Sequence, residues 1–514
     1  MASNFKVALL SDTMAVNNPD ILESDKGLGH NIGFNLHHAR PSGPYKVNEI
    51  FREHGYHSTV FNYFSYWDQD DLIDALKLYS EGYPLLIGFS MTLNTGKRYI
   101  AKLEKFVKVL KEQIPGTVTI LGGIKFYEDF EKFNKIGDVV YFGRSTMLLT
   151  KSIHDRLFDD LIGKKFDPIE IRHPNNENTL DNPVTHKFYS EDLWSNTDVA
   201  MFETALGCKF DCSFCNFDFR GIKNPKVTNI DRLVEYFNNA KENGVTHFFA
   251  ADDTINESDE KIDTLHTAVK ELDFDIHICA YARLEMFSAD ESRIEKFSEI
   301  GLHSINFGIE TLNAEAGKLV RKGFGAERII STLKKIKNVN SDFFLYATMI
   351  AGLSRDNEDH IYKYTDIILK DKILDCMQYI PLNIWEYKSH WDWQSHIDKD
   401  PEKYGYKILS QGKNVGSVGA PIVDWENDWI DFTGAKKLAG RLNTHIFKNY
   451  KLNSLVSNWS YTCLKAGKFA STPENFANDF YANVGRSVQN TYIDTPIDNL
   501  IYEYINRKKA NVSY

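Results

Sequence analysis

Two successive series of alternating strands and helices do most to narrow the possible folds of this chain. The first series covers about residues 1–165 and the second about residues 196–385 of 514. Such alternation predicts parallel strands with helices packed on the sheet faces. Six β/α units follow one another in the second series, which predicts a closed or partly closed barrel. The fold class is therefore α/β, with an N-terminal Rossmann-like sheet domain followed by a partial (β/α)6 barrel.

Two further segments complete the predicted domain organisation. Residues 166–195 are polar, contain three prolines and show little periodicity, so they are interpreted as a linker. Residues 386–514 are rich in aromatic side chains and predict a mainly helical region that caps the barrel mouth. A chain of this length is too long for a single hydrophobic core, which agrees with several domains.

Composition excludes several classes of function. The formal net charge of −11 argues against broad non-specific binding of nucleic acid. The apolar runs are far shorter than the roughly 20 residues that a membrane span needs. The N-terminus shows no secretory signal, and cysteines are few, which favours a reducing cytoplasm. Clustered thiols in such a compartment are more often metal ligands or catalysts than disulfides.

Three of the six cysteines fall within eight residues, at Cys208, Cys212 and Cys215. Four soft ligands would close a zinc site or saturate an iron–sulfur cluster, but no local fourth ligand exists. Neither His nor Cys occurs between Cys215 and His247. A 4Fe–4S cubane bound by three thiolates leaves one iron open, which is a catalytic arrangement. A zinc site completed by a distant ligand remains the alternative at this point.

The remaining cysteines are isolated along the chain. Small buried side chains are the usual role of such residues. The prediction therefore excludes these three from the cluster: Cys279, Cys376 and Cys463.

The cysteine spacing, the aromatic residue before the third cysteine and the barrel context resemble the radical S-adenosylmethionine (SAM) superfamily. Four later segments resemble strand-end motifs of that family: "FFAADDTIN" (248–256), "YARLE" (281–285), "GLHSINFGIETLNAEAGKLVRKG" (301–323) and "ATMIAGLSRDNED" (347–359). Together these cover roughly residues 196–385. The resemblance implies that the open iron binds SAM, whose reductive cleavage releases a 5′-deoxyadenosyl radical.

The resemblance also implies a set of SAM-binding residues. Asp252 or Asp253 would bind the ribose or the methionine ammonium, and Glu310 would do the same. Arg283 would pair with the SAM carboxylate. Phe214 would pack beside the adenine. For each of these residues a structural salt bridge or core contact is the alternative, and no residue is assigned a catalytic role.

The first domain resembles the cobalamin-binding domain that precedes one large radical SAM subgroup. The small strand-end residues Ser90, Gly122, Gly123 and Gly143 would form a trough for a flat corrin ring. Two features depart from the subgroup. The Asp-x-His-x-x-Gly signature is absent, and "FGRS" replaces the usual Gly-Glu-Gly. A degenerate domain that serves only as a scaffold therefore stays open.

These features predict a radical SAM enzyme with cobalamin as a possible cofactor, most simply a C-methyltransferase acting on an unactivated carbon. A non-methylating radical SAM rearrangement, cyclisation or oxidation is one alternative. A metal-stabilised binding protein is another, from a different class. The predicted partners are an unidentified substrate and an external electron donor such as flavodoxin or ferredoxin.

Overall fold

The structure is a computed structural model. It contains two large sheets of parallel strands, one in the N-terminal region and one that forms the partial barrel. It describes residues 4–12, 39–62, 64, 67–91, 97–124, 130–143, 146–172, 183, 185–192, 194–217, 220–386, 394–415, 421–450 and 458–467. In this described part of the chain, every helix is too short or too polar to cross a membrane.

The N-terminal region confirms the predicted Rossmann-like sheet. Its strands are β1 (Lys6–Leu10), β2 (Ala39–Arg40), β3 (Ser58–Phe61), β4 (Leu85–Ser90), β5 (Val118–Ile124), β6 (Val139–Phe142) and β7 (Ile169–Ile171). All except β2 form one sheet in the order β3-β1-β4-β5-β6-β7. The flanking helices are Ser42–Glu53, Gln69–Ser80, Lys97–Gln113, Phe130–Phe133, Thr146–His154 and Leu157–Leu161. Strand β7 lies in the segment interpreted as a linker, so that segment also extends the sheet.

The order of the strands reverses direction at β1. The next strand of this sheet along the chain, β3, lies on one side of β1, and β4 lies on the other side. In open sheets of this kind, ligands bind outside the carboxyl ends of the strands near such a reversal. The predicted small residues meet at this edge. Ser90 is paired in register with Gly122, and the Gly143 amide donates to the Ile124 carbonyl at 2.8 Å.

The second region confirms the partial barrel. Its strands are β8 (Val199–Phe202), β9 (Ala205–Leu206), β10 (Lys226–Val227), β11 (His247–Ala250), β12 (His277–Ala282), β13 (Leu302–Glu310), β14 (Phe344–Ala351) and β15 (Cys376–Pro381). The large sheet has the order β15-β14-β13-β12-β11-β8-β2, while β9 and β10 form a small antiparallel pair. The flanking helices are Ile230–Glu242, Asp259–Lys270, Leu284–Ala289, Ser292–Glu299, Ala314–Leu319, Ala326–Val339 and Glu358–Lys370.

Helix Ile230–Glu242 illustrates why these segments are helical. The Asn229 side chain caps its N-terminus by accepting from the Asp231 amide at 2.7 Å. Leu233 and Phe237, four residues apart, are fully buried against the sheet. Burial of each such side chain stabilises the fold by about 1.5–3 kcal/mol.

Strand β2 joins the two regions, although it belongs to the N-terminal part of the sequence. It pairs in parallel with β8, and the helix Ser42–Glu53 of the N-terminal domain begins two residues later. Arg40 and Asp198 form an ion pair at 2.7 Å, with both side chains almost fully buried. The N-terminal part of the chain is therefore tied to the first strand of the barrel.

The C-terminal region contains helices and a hairpin. The helices are His396–Lys399, Phe432–Tyr450 and Asn458–Lys465, and the antiparallel strands are β16 (Lys407–Val415) and β17 (Pro421–Glu426). The described residues of the glycine-rich stretch 410–421 thus lie in this hairpin. Helix Asn458–Lys465 contacts β11 to β14 on the face opposite to the flanking helices. Of the predicted capping region 386–514, residues 387–393, 416–420, 451–457 and 468–514 lie outside the described residues.

Candidate active site

A cavity of about 1570 Å³ lies between the carboxyl edge of the N-terminal sheet and the barrel mouth. Every site residue predicted from the sequence lines this cavity: Ser90, Gly122, Gly123, Gly143, Cys208, Cys212, Phe214, Cys215, Asp252, Asp253, Arg283 and Glu310. These residues belong to two domains and are spread over more than 200 positions of the sequence, from Ser90 to Glu310. The fold brings them to one cavity.

The N-terminal wall of the cavity is a trough. A Cβ atom added at Gly122 would meet no atom within 4 Å. Gly123 and Gly143 have φ angles of 77° and 86°, which favour glycine. The bulky neighbours Phe89 and Phe142 are 2% and 0% exposed and belong to the hydrophobic core. Phe89 also lines the cavity, with its ring packed into this core.

The three cysteines lie on the facing wall, in a loop that the backbone holds at several points. The Ile222 amide donates to the Cys208 carbonyl at 3.0 Å, and the Cys215 amide donates to the Cys212 carbonyl at 3.1 Å. Burial raises the pKa of Cys208 to about 11 and the pKa of Cys215 to about 12. The Cys208 and Cys215 thiols are therefore protonated at neutral pH, and a bound metal must displace those protons.

Among the described residues, no group of three or more His, Cys, Asp or Glu side chains is placed to bind a single metal ion. A zinc ion binds its thiolates at about 2.3 Å and so draws them together. In a 4Fe–4S cluster each cysteine binds a different iron, which spaces the sulfurs more widely. None of the six cysteines forms a disulfide, and Cys279, Cys376 and Cys463 are buried away from the cavity wall, as expected.

The Asp252 carboxylate is occupied by hydrogen bonds and an ion pair within the protein. Its carboxylate accepts from the Thr204 amide at 3.0 Å, the Thr204 hydroxyl at 2.5 Å and the Ala205 amide at 2.8 Å. It also pairs with Lys261 at 2.9 Å, and neither side chain is exposed. Of the predicted pair, Asp253 is therefore the better candidate for a ligand, and Asp252 orders the loop that leads to Cys208.

Glu257 and Lys261 were missed by the sequence reasoning. Glu257 accepts from the Lys209 amide at 2.9 Å and pairs with Lys261 at 3.1 Å. Both side chains have no exposed surface. Burial lowers the pKa of Lys261, but the Asp252 and Glu257 carboxylates outweigh it and raise the pKa overall. The i,i+4 spacing of Glu257 and Lys261 was the available signal, although it usually marks a surface pair.

Glu310 adopts an unusual backbone conformation at the cavity wall. Its φ angle is 67°, and β13 shifts register against β14 there. Non-glycine residues held in this region carry strain and cluster at functional sites. The Glu310 carboxylate pairs with Lys322 at 3.0 Å, with side-chain exposures of 8% and 14%. A Cβ atom at Gly308 would crowd Glu310 Oε1 and Lys322 Nζ, so the ends of these two flexible side chains would have to shift to accommodate it.

Lys322 was also missed, because "RKG" in the sequence looks like an ordinary helix end. Burial lowers its pKa, but the negative groups around it, of which the Glu310 carboxylate contributes most, together outweigh that effect and raise the pKa above its usual value. Its ammonium lies 5.7 Å from the centre of the Phe214 ring. The positively charged Lys322 ammonium therefore lies at the cavity wall, close to Glu310 and Phe214, which are both predicted SAM-binding residues.

Arg283 lies against the cysteine loop. Its Nη1 donates to Cys212 Sγ at 3.3 Å, and its guanidinium stacks 4.0 Å from the centre of the Phe210 ring. Its pairing with a SAM carboxylate stays a prediction.

Aromatic side chains form part of the barrel side of the cavity. Phe249 and Tyr281 contact Trp459, which is the second residue of helix Asn458–Lys465. The Trp459 indole N–H donates to the Tyr281 hydroxyl at 3.1 Å, and all three residues line the cavity. Trp459 could not be placed from sequence, because it lies far along the chain from both neighbours.

Comparisons with known proteins agree with this architecture. Residues 202–367 match the family described as the Radical SAM superfamily. A curated relative, an uncharacterized methyltransferase of Pyrococcus horikoshii, is 24% identical over 193 residues, which are 36% of this chain. The match spans 40% of the length of that relative.

Two solved structures share the fold over nearly the whole chain. The radical SAM methyltransferase TsrM of Kitasatospora setae, solved with tryptophan substrate and a SAM analogue, has a TM-score of 0.60 and 11% identity. That match covers 93% of this chain and 99% of TsrM. The cobalamin-dependent radical SAM enzyme OxsB, solved with aqua-cobalamin and SAM, has a TM-score of 0.55 and 12% identity, covering 99% and 80%. The family match shows a radical SAM domain at residues 202–367, and the structural matches show that nearly the whole chain, including its N-terminal sheet domain, shares the fold of these radical SAM enzymes.

Proposed function

We propose that this radical SAM enzyme is a cobalamin-dependent methyltransferase that binds a 4Fe–4S cluster and SAM and methylates an unactivated carbon. The observation that carries the proposal is the single cavity described above. It places the trough of the N-terminal sheet opposite the three cysteines, with room for several ligands between them. Ligand pockets for drug-sized molecules are commonly about 300–1,000 Å³, and this cavity is larger.

The chain's residues fit a cluster and SAM on chemical grounds. Cys208, Cys212 and Cys215 supply three soft ligands on one wall, and Arg283 contacts the middle cysteine. Asp253 and Glu310 offer carboxylates to the ammonium and hydroxyl groups of SAM. A reduced cluster with SAM supplies the one-electron chemistry of this superfamily. These roles are proposals, supported by the shared cavity and by the superfamily match.

The trough fits a flat macrocycle. Small residues line it, and the space above Gly122 is open. TsrM and OxsB were solved with cobalamin bound and share the domain order, which supports the same cofactor here. Cobalamin would supply a methyl-carrying group. The histidine signature is missing, and its nearest stretch, 35–43, lies partly outside the described residues, so we expect cobalt without a protein nitrogen ligand.

The finer parts of the proposal concern partners and location. An external one-electron donor such as flavodoxin or ferredoxin would reduce the cluster. A cytoplasmic location would suit a protein whose six cysteines form no disulfide. The Phe249, Tyr281 and Trp459 side chains favour a substrate with an apolar or aromatic portion.

The test is anaerobic reconstitution with iron, sulfide and hydroxocobalamin, followed by gel filtration and analysis of every bound cofactor. We expect about four irons and one corrinoid per chain. The variant Gly122→Phe should lose the corrinoid and keep the iron, because the added ring occupies the trough. The matched control Gly122→Ser should keep both, since the site has room for a small side chain.

Two outcomes would change the assignment. Cleavage of SAM by a wild-type protein that retains no corrinoid would replace methyl transfer with a non-methylating radical reaction. A protein that binds a single zinc ion and no iron would contradict the enzymatic assignment.

A further inference from the structure

A buried group of three charged side chains lies directly behind the cysteine loop. Lys261 donates to Asp252 at 2.9 Å, to Glu257 at 3.1 Å and to the Thr254 carbonyl at 2.7 Å. Three donors of the ammonium are thus satisfied. The charged group carries a formal net charge of −1 in a region with no exposed side-chain surface.

The two carboxylates hold the backbone on both sides of Cys208. Asp252 accepts the amides of Thr204 and Ala205, which precede the cysteine. Glu257 accepts the amide of Lys209, which follows it. The loop is therefore fixed at both ends by carboxylates that share one ammonium.

We infer that Lys261 is a positioning residue for the cysteine loop, acting through Asp252 and Glu257. A buried charge group of this kind is seldom more stabilising than well-packed apolar side chains. Its distinctive effect is to fix the direction of particular backbone amides. The inference rests on the part of the proposed function in which the loop binds a cluster.

The arrangement also places negative charge near the site of the proposed cluster. Glu257 accepts the amide of Lys209, the residue that follows Cys208, so its carboxylate lies close to the cysteine loop. Removing a negative charge from this position makes a reduced, more negative cluster easier to form. Removing the positive charge of Lys261 has the opposite effect.

The experiment uses the full-length chain with Lys261→Met, Glu257→Gln and, as a matched control on the same helix, Lys270→Met. Lys270 pairs with Glu299 at 2.9 Å, but both side chains are about half exposed. Loss of iron to an added chelator should be about ten-fold faster in both test variants, as for other residues that orient metal ligands. The midpoint potential of the cluster should rise in Glu257→Gln and fall in Lys261→Met. The control should match wild type in both measurements.

Amide hydrogen exchange of the metal-free proteins gives an independent measurement. The amides of Thr204, Ala205 and Lys209 should exchange faster in the test variants, while those of strand β14 stay protected. Wild-type rates of exchange and of iron loss in Glu257→Gln, which is the variant that best preserves shape, would overturn the inference. Failure of the wild-type chain to assemble a cluster would instead count against the proposed function, and the exchange data would still decide the role of Lys261.

Discussion

The ion pair between Glu310 and Lys322 allows a quantitative test of the cavity wall. The two groups are 3.0 Å apart, and their side chains are 8% and 14% exposed. At an effective dielectric constant of about 20, their attraction is about 5.5 kcal/mol, before the cost of desolvation is subtracted. Removing one partner from a buried pair costs about 3–5 kcal/mol, because it leaves the other charge uncompensated.

A double-mutant cycle measures this coupling. Lys322→Met and Glu310→Gln should each lower the free energy of unfolding by about 3 kcal/mol, while the double variant should lose much less than the sum of the two. The expected coupling energy is about 3–4 kcal/mol, somewhat below the Coulomb value. The φ strain at Glu310 is common to every variant that keeps a side chain there, so it cancels from the cycle.

The assay is urea unfolding of the metal-free chain at constant ionic strength, followed by tryptophan fluorescence. The pair Lys270–Glu299 is the control, since it has a similar distance but is exposed, and its coupling should be far smaller. SAM affinity of the reconstituted enzyme should fall in Glu310→Gln while its iron content stays unchanged. A coupling energy below about 0.5 kcal/mol for Glu310 and Lys322 would refute the argument that this wall is a low-dielectric site.

Three further predictions concern other parts of the molecule. Replacing Cys208, Cys212 or Cys215 by Ala should abolish absorbance near ~400 nm after reconstitution, whereas Cys376→Ala should retain it; the opposite pattern would remove the cluster assignment. Gly308→Ala should weaken SAM binding without unfolding the barrel, because the new methyl group displaces the Glu310–Lys322 pair; equilibrium dialysis would show this, and unchanged affinity would contradict it. Burial lowers the pKa of His186 to about 3, so the folded protein does not take up the proton that the unfolded chain binds below about pH 6.5. Stability should therefore fall with decreasing pH by about 1.4 kcal/mol per unit from this group, and His186→Phe should remove that part of the slope in urea titrations.

Some site residues were open to sequence reasoning because their signal is local. Three cysteines in eight residues indicate a shared metal centre before any fold is known. The small residues at the ends of β4, β5 and β6 indicate a ligand edge, because parallel strands end on the same side. Periodicity of two and of 3.6 residues is likewise a local property, which is why the order of strands and helices was predicted correctly.

Other site residues depended on contacts between distant parts of the chain. The sequence "DD" at 252–253 does not tell which carboxylate faces the cavity; hydrogen bonds to residues 48 and 47 positions away decide that Asp252 is occupied. Lys261 looks like a surface lysine in the first turn of a helix, but the fold gives it no exposed surface. Trp459 reaches the cavity only because its helix lies against β11 to β14.

The sequence by itself determined the order of strands and helices in the two β/α regions, and it predicted the cysteine centre and the edge where a ligand would bind. Each of these inferences follows from the periodicity or spacing of nearby residues, which does not depend on how the domains pack. The tertiary structure decided which charged groups are buried together, and that the trough and the cysteines face one another. Strand β2 and the Arg40–Asp198 pair set that relation, because they tie the edge of one domain to the first strand of the other. Burial and charge pairing are properties of the assembled fold, since they depend on atoms that the chain brings together from remote positions.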